Sequence, residues 1–184
     1  MSSGIEVVAK VFVKIGFKPL HLTISSLIFS TLAFTALYYY KSIILYITLV
    51  LLSGFMDMVD GAVARLTKQV SRLGAFLDST IDRFSDILII YPLTILGFPI
   101  EQIVYLIVVS LMISYVRARG EALNLKIEGI GIIERAERIL LVVLIAALYP
   151  VNTMVSQLVF YILLLLSTIT LLQRIIYITS KLKR

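Results

Sequence analysis

Six apolar stretches follow one another along the chain, after a short N-terminal segment in which apolar and basic positions alternate at helical spacing. Most of these stretches approach the roughly 20 residues with which a helix crosses a bilayer. They cover approximately residues 20–40, 43–64, 74–97, 101–119, 136–150 and 155–177. The pattern predicts an all-α integral membrane protein, in which residues 19–184 form one membrane domain of six transmembrane helices.

The N-terminal segment, residues 1–18, has an apolar side and a basic side when it is drawn as a helix. Its apolar positions are Ile5, Val8, Phe12 and Ile15, and its basic positions are Lys10, Lys14 and Lys18. This pattern is typical of an amphipathic helix that lies in the plane of an anionic membrane surface. Since proline disfavours a helical conformation in the residue before it, we expect this interfacial helix to end before Pro19.

The composition supports a membrane protein and also orients it. The chain is 60% hydrophobic and 15% charged, with a mean hydropathy of +1.02, far from the values of a soluble domain. With the N-terminus in the cytoplasm and six spans, 16 of the 17 Lys and Arg residues fall on the cytoplasmic side. We therefore expect a multi-pass protein of the cell membrane with both termini and the active site cytoplasmic. The net charge of +6 then reflects topology, and we expect no nucleic-acid partner.

All five aspartates lie between residues 57 and 86, and four of them form the pattern D-x2-D-G-x2-A-R-x8-G-x3-D-x3-D. The defined positions are Asp57, Asp60, Gly61, Ala64, Arg65, Gly74, Asp78 and Asp82. On a helix the first five share one face, and the last two aspartates share a face of the next span. Because the connection is short, the two spans are antiparallel neighbours whose acidic faces can meet. Carboxylates inside an apolar chain are costly and usually functional.

Four converging carboxylates would repel one another unless a cation lies between them. Oxygen ligands favour a hard divalent ion, so we expect Mg²⁺, with Mn²⁺ as an alternative. Mg²⁺ held by carboxylates usually also binds substrate phosphates. Arg65, Arg72 and Ser71 supply hydrogen-bond donors for phosphate oxygens. Gly61 and Ala64 leave space beside them for a substrate.

A purely structural role for the aspartates is a weaker explanation. Arg65 and Arg83 could pair with two of them, which leaves an excess of negative charge for a cation to balance. Asp86 is different, because it lies one turn beyond Asp82 and can pair with Arg83, so we predict that it is structural. His21, the only histidine, fits an interfacial helix cap as well as a phosphate contact and is assigned no role.

A second cluster, which is basic, lies between the fourth and fifth predicted spans. Its members are Arg117, Arg119, Lys126, Arg135 and Arg138. One explanation is a salt-bridged loop, in which glutamates pair with arginines at i, i+4 spacing. The other is an anion site, because most members are arginines, which bind phosphate through two parallel hydrogen bonds. A second anion site facing the metal would indicate a co-substrate that itself carries a phosphate.

The aspartate pattern matches the full motif of the CDP-alcohol phosphotransferases at every defined position, and the chain resembles that family over nearly its whole length. The resemblance implies a homodimeric membrane enzyme with an interfacial helix and six spans. It also implies that Asp57, Asp60 and Asp78 hold Mg²⁺ against a CDP-alcohol. Asp82 would be both a metal ligand and the catalytic base. The residues implied in CDP-alcohol binding are Gly61, Ala64, Arg65, Ser71 and Gly74.

Two later segments, S-Y-V-R-A-R-G-E and G-I-I-E-R-A-E-R, resemble the branch of this family that makes phosphatidylinositol phosphate or archaetidylinositol phosphate. The resemblance implies transfer of a diacylglycerol- or archaeol-bearing phosphate group from a CDP-lipid to inositol 1-phosphate, with release of CMP. Arg117, Arg135 and Arg138 would bind the acceptor phosphate. A close alternative joins CDP-inositol to inositol phosphate, and glycerol phosphate or serine are further acceptors. A cation transporter is a distant alternative, because transporters usually interrupt their helices at the site.

Overall fold

The computed structural model describes residues 3–69, 71–127 and 129–183, which form seven α-helices and one 3-10 helix and, within these ranges, no strand. The helices are α1 (Ser3–Lys14), α2 (Pro19–Tyr38), α3 (Ile43–Leu66), α4 (Arg72–Ile90), a 3-10 helix (Tyr91–Leu96), α5 (Ile100–Ala122), α6 (Arg135–Leu148) and α7 (Thr153–Leu182). The predicted all-α class is confirmed. Met1, Ser2 and Arg184, which the terminal predictions include, lie outside the described residues.

Four of the helices, α2, α3, α5 and α7, are long and apolar enough to cross a membrane. The remaining two predicted spans correspond to α4 and α6, which do not meet both conditions. α6 has 14 residues, so it is about 21 Å long against an apolar layer of about 30 Å. α4 has 19 residues but carries five charged side chains. The structure therefore has four candidate spans among the described residues, and the predicted number of six spans stays a prediction.

Polar residues and proline begin the long helices at the predicted breaks. α2 starts with Pro19, whose fixed φ suits the first helical position. The Ser42 side chain accepts a hydrogen bond from the Leu45 N–H at the start of α3, over 3.4 Å, and Asn152 accepts one from the Val155 N–H at the start of α7, over 3.1 Å. These caps place the turns between helices where the sequence pattern predicts them.

The chain divides into two compact units, Met1–Ile89 and Ile90–Arg184. In the first unit α2 packs along α3, and α1 packs on α3 near its C-terminal end. The buried residues of this contact are Ala9, Leu22, Val59, Ala62 and Val63. Ile5, Val8 and Phe12 pack against this cluster, whereas the apolar Val7 and Val11 of α1 and Ile15 just after it are exposed. The predicted position of residues 1–18 in the membrane interface stays a prediction.

Buried hydroxyl groups attach α4 to the other helices of the first unit. The Ser30 and Ser85 hydroxyls are 3.1 Å apart, which links α2 to α4. The Tyr46 hydroxyl donates to the Ile89 carbonyl over 2.6 Å, which links α3 to the end of α4. Two separate contacts thus fix where α4 lies along α2 and α3, and with it the aspartates that α4 carries.

In the second unit α7 packs on both α5 and α6. The Ser156 hydroxyl at the start of α7 donates to the Ile145 carbonyl of α6 over 2.8 Å. The Tyr105 and Thr168 hydroxyls, on α5 and α7, are 2.9 Å apart. These contacts make α7 the element that holds α5 and α6 in one unit.

Candidate functional site

The first five defined positions of the aspartate pattern lie together on the C-terminal part of α3. Asp57 is half-buried, whereas Asp60 is only 6% exposed because it faces α2. The helix continues just past these residues and ends at Thr67, whose hydroxyl donates to the Val63 carbonyl over 2.8 Å. Lys68 then has a left-handed backbone, with φ of 54°. The chain therefore turns directly after the part of the motif that lies on α3. The remaining motif residues follow on α4.

Asp57, Asp60 and Asp78 form a cluster whose ligand oxygens, one from each carboxylate, all lie within 4.8 Å of one another. Two of these residues come from α3 and one from α4, so the antiparallel arrangement predicted for these helices is confirmed. Three carboxylates at this distance repel one another in an apolar surrounding, and a cation between them removes the repulsion. An all-oxygen donor set of this kind suits a hard divalent ion.

Thr23 takes part in this cluster and is not part of the sequence motif. Its hydroxyl donates to the Asp60 Oδ2 atom over 2.8 Å, and both residues are buried. Thr23 lies on α2, far from Asp60 in sequence, so only the packing of α2 on α3 brings them together. A threonine near the start of an apolar span is too common to indicate this contact.

Asp82 lies one turn after Asp78 on α4 and is not in the group of three whose oxygens meet within 4.8 Å. One of its oxygens is 3.6 Å from the Arg83 Nη1 atom, and this guanidinium also donates to the Ser79 carbonyl over 2.6 Å. Its predicted roles as metal ligand and base stay predictions. Asp86 is buried on the same helix, and the structural role predicted for it stays a prediction.

The residues predicted to bind the CDP-alcohol lie around the turn between α3 and α4. The exposed Arg65 side chain folds over Gly61, and a Cβ atom there would be 3.4 Å from its Nη1 atom. Ser71 directly precedes α4, and its Oγ atom accepts a hydrogen bond from the Gly74 N–H over 3.0 Å. Ser71 therefore caps α4, while Ala64 is half-buried on α3.

Arg117, on α5 in the second unit, forms an ion pair of the kind that the salt-bridge explanation predicts. Its Nε atom donates to Glu121 over 2.8 Å, one turn along α5, with both side chains more than a third exposed. Such exposed pairs contribute little to stability. Arg138 differs, since it is only 4% exposed in the first turns of α6. Arg135 is half-buried at the first position of the same helix.

Arg174 belongs to the same part of the second unit, although it is not among the residues predicted from the sequence. It is 4% exposed on α7, and it donates to the Ile130 carbonyl over 2.8 Å and the Ile113 carbonyl over 3.0 Å. It also interacts electrostatically with Arg117 and Arg138. An arginine within the last apolar run was the available signal, because charge inside a span is usually functional.

The chain is similar over most of its length to proteins of known family. A family model described as CDP-alcohol phosphatidyltransferase matches residues 18–179. The archaetidylinositol phosphate synthase of Aeropyrum pernix is 39% identical over 145 residues, which are 79% of this chain and 75% of the relative. The archaetidylinositol phosphate synthase of Pyrococcus horikoshii is 36% identical over 172 residues, which are 93% of this chain and 88% of the relative.

The fold of the chain is also similar to that of solved structures. The phosphatidylinositol phosphate synthase of Mycobacterium tuberculosis with CDP-DAG bound matches with a TM-score of 0.81 and 28% identity, over 95% of this chain and 92% of that one. The same enzyme in complex with manganese and citrate matches with a TM-score of 0.83 and 28% identity, over 96% of this chain and 89% of that one. The similarity therefore includes residues of both compact units.

Proposed function

Because the chain belongs to the CDP-alcohol phosphatidyltransferase family, we propose that it transfers a lipid-bearing phosphate group from a CDP-lipid to inositol 1-phosphate, with release of CMP. The observation that carries this proposal is the meeting of Asp57, Asp60 and Asp78 within 4.8 Å. The choice of acceptor is supported by relatives named archaetidylinositol phosphate synthase and phosphatidylinositol phosphate synthase. These names differ in the lipid of the product and share the inositol phosphate.

The three clustered carboxylates fit a divalent cation, for which we propose Mg²⁺, with Mn²⁺ as the alternative that the manganese complex of the mycobacterial enzyme supports. When bound, the cation neutralises the diphosphate of the CDP-lipid and the charge that develops as CMP leaves. The protein's own part is to hold Asp57 and Asp60 one turn apart on α3 and to bring Asp78 to them on α4. Asp82, the next carboxylate on α4, is proposed as a further ligand.

Arg65 and the start of α4 are proposed to bind the CDP part of the donor. The Arg65 guanidinium lies over Gly61, where a Cβ atom would be in van der Waals contact with it. The Ser71 oxygen accepts from the Gly74 N–H, which leaves the hydroxyl proton to be donated to a phosphate oxygen. Ala64 is proposed to leave room on the same face of α3.

Asp82 is proposed to take the proton of the acceptor hydroxyl. The hydroxyl oxygen forms a bond to the lipid-bearing phosphorus, and the bond from this phosphorus to the bridging oxygen of the CMP group breaks. The proton passes to the Asp82 carboxylate, and CMP leaves as a monoester anion. Asp82 suits this role because it lies on α4 one turn from Asp78 and is half-buried.

Arg117, Arg135 and Arg138 are proposed to bind the phosphate of inositol 1-phosphate. Arg174 supports this assignment, because it is close enough to interact with Arg117 and Arg138, which repel it, as well as with Glu134 and Glu121, which attract it. Guanidinium groups that lie near one another repel, and a phosphate dianion among them would offset the repulsion while it forms charge-assisted hydrogen bonds. The ion pair of Arg117 with Glu121 is exposed and weak, so a phosphate can compete for this arginine.

For the whole chain we propose six membrane spans, cytoplasmic termini, a cytoplasmic active site and a homodimer. The six spans would be the four long apolar helices, α6, and α4 together with the 3-10 helix that follows it. The distribution of basic residues supports this orientation. α1 is proposed to lie in the membrane interface, where Val7, Val11 and Ile15 would enter the lipid. The homodimer follows from the family resemblance.

Release of CMP tests the proposed reaction. Purified protein is supplied with Mg²⁺, inositol 1-phosphate and a CDP-lipid that carries either archaeol or diacylglycerol. The amounts of CMP and of the lipid product are then measured. We expect equal amounts of CMP and phosphorylated lipid product with at least one donor. Asp82→Asn should lower the rate by about 10²–10⁴-fold, the usual contribution of a general base. Asp86→Asn makes the same change one turn further along α4 and should keep most of the activity.

Other outcomes would support the alternatives instead. CMP release with CDP-inositol and none with either CDP-lipid would favour the synthesis of a soluble inositol phosphodiester. Glycerol phosphate or serine as the better acceptor would assign the chain to another branch of the family. No CMP with any CDP-alcohol, or full activity of Asp82→Asn, would contradict the phosphotransferase proposal.

A further inference from the structure

We propose that Thr23 is a positioning residue for the metal site, because its hydroxyl holds the carboxylate of Asp60. The Oγ1 atom of Thr23 lies 2.8 Å from Asp60 Oδ2 and 3.2 Å from the Pro19 carbonyl, one turn earlier on α2. Since the hydroxyl has one proton, we assign its donation to the closer acceptor, which is also the charged one. Thr23 and Asp60 are both 6% exposed, so water has little access to replace the bond. The inference rests on the proposed metal site, to which it adds a residue on a helix that carries none of the aspartates.

A hydrogen bond at this place restricts how the carboxylate can turn. The last torsion of an aspartate side chain is broad and roughly two-fold, so an aspartate with no such partner can present its oxygens in many orientations. The bond from Thr23 occupies one direction at Oδ2 and leaves the other lone pairs of the carboxylate for a cation. Partners of metal-binding carboxylates commonly change metal affinity by about 10–100-fold when they are removed.

The packing of α2 on α3 places Thr23 with enough precision for this role. Leu22, the residue before Thr23, and Val59, the residue before Asp60, are both fully buried in the apolar cluster between the helices. The apolar contact therefore fixes the two backbones at the level of the hydrogen bond. A threonine whose backbone is held in this way gives its acceptor one preferred position.

The competing explanation is that Thr23 only attaches α2 to α3. The chain offers a matched comparison, because the Ser53 hydroxyl donates to the Ser26 carbonyl over 2.8 Å. This second bond is also buried and also joins α3 to α2, but it touches none of the proposed site residues. Loss of either bond should cost similar stability, whereas only the loss of the Thr23 bond should change metal binding.

The test is a titration of the full-length, metal-stripped protein with Mn²⁺, in which electron paramagnetic resonance measures the free ion. Thr23→Val, which keeps the shape and removes the hydroxyl, should weaken Mn²⁺ binding by about tenfold or more. Thr23→Ser, which keeps a hydroxyl, should bind Mn²⁺ nearly as the unchanged protein does. Ser53→Ala should keep the affinity, and thermal unfolding of each variant shows whether the two deletions cost similar stability.

The outcomes separate the positioning role from the metal site itself. Mn²⁺ binding by the unchanged protein that is lost in Asp60→Asn supports the site. If the site is present and Thr23→Val binds Mn²⁺ as tightly as Ser53→Ala, the positioning role is overturned while the proposed function stands. If the unchanged protein binds no Mn²⁺, both the positioning role and the proposed metal site are overturned. Should Thr23→Val fail to fold, Thr23→Ala measures the same loss of the hydroxyl.

Discussion

Both groups of like charge in this protein contain a member that is held by a neutral partner. Asp60 accepts from the Thr23 hydroxyl, and Arg174 donates to the backbone carbonyls of Ile113 and Ile130. A neutral partner orients a charged side chain without cancelling its charge. These particular bonds therefore leave the charges of Asp60 and Arg174 in place.

Arg135 allows the acceptor assignment to be tested at the level of one side chain. Arg135→Ala should raise the KM for inositol 1-phosphate by about tenfold, the cost of one charge-assisted hydrogen bond. The KM for the CDP-lipid should change little. Arg119→Ala is the control, since Arg119 is exposed at the end of α5 and is not among the proposed contacts. Equal increases of both KM values in Arg135→Ala would show that Arg135 only supports the fold.

At the residue scale, the sequence predicts groups that share a helix face and misses groups that meet through packing. Asp57 and Asp60 are one turn apart, and a short turn leads to Asp78, so their meeting follows from local geometry. Thr23 and Arg174 act across long stretches of chain, at positions set by how whole helices pack. A single sequence has no local pattern for such contacts.

At the element scale, α7 forms hydrogen bonds with residues 130–133, the segment that leads into α6. The Thr170 hydroxyl accepts from the Ile133 N–H over 3.2 Å, and Arg174, one turn later, binds the Ile130 carbonyl. Gly131 lies between them with φ of 125°. Two of the arginines proposed for the acceptor, Arg135 and Arg138, follow at once on α6, so α7 sets where that helix begins.

Gly131→Ala should destabilise the protein more than the same change at Gly129. A Cβ atom at Gly131 would be 2.5 Å from the Thr170 Cγ2 atom, whereas at Gly129, with φ of 76°, it would meet nothing within 4 Å. Both changes strain the backbone by about 1–3 kcal/mol, and only Gly131→Ala adds the clash. Thermal unfolding of the two purified variants measures the difference. Similar melting temperatures would contradict a tight contact between this segment and α7.

The helix ends show how far an apolar pattern predicts elements. The sequence predicts helices over 20–40 and 43–64, and the structure has Pro19–Tyr38 and Ile43–Leu66. It predicts one helix over 74–97, whereas the α-helix ends at Ile90 and continues as a 3-10 helix. Pro92 has no N–H to continue the α-helical bonds, and a run of apolar residues does not distinguish the two helix types.

At the scale of the whole molecule, the number of spans decides on which side of the membrane the arginines proposed for the acceptor lie. Four helices qualify as spans by length and composition, and the proposed topology adds α4 and α6. With six spans and a cytoplasmic N-terminus, Glu101 faces outward and Lys126 faces the cytoplasm. With only the four long spans, these two residues exchange sides.

Single cysteines at these two positions measure the topology directly, since the chain has no cysteine of its own. In intact cells, a maleimide that cannot cross membranes should label Glu101→Cys and leave Lys126→Cys unlabelled until the cells are opened. Both native residues are exposed, so access should not be limited by packing. Lys41→Cys should be labelled under either topology and serves as the positive control. The reverse pattern for the first two variants would refute six spans.

The division of the chain at Ile89 and Ile90 has a consequence for how such a protein can change over evolutionary time. All the aspartates belong to the first unit, and all the arginines proposed for the acceptor belong to the second. Substitutions that select a new alcohol can accumulate in the second half while the carboxylates of the first half stay unchanged. Recombination near residue 90 would join the half that carries the aspartates to a second half with other arginines, so one proposed chemistry would give rise to several products.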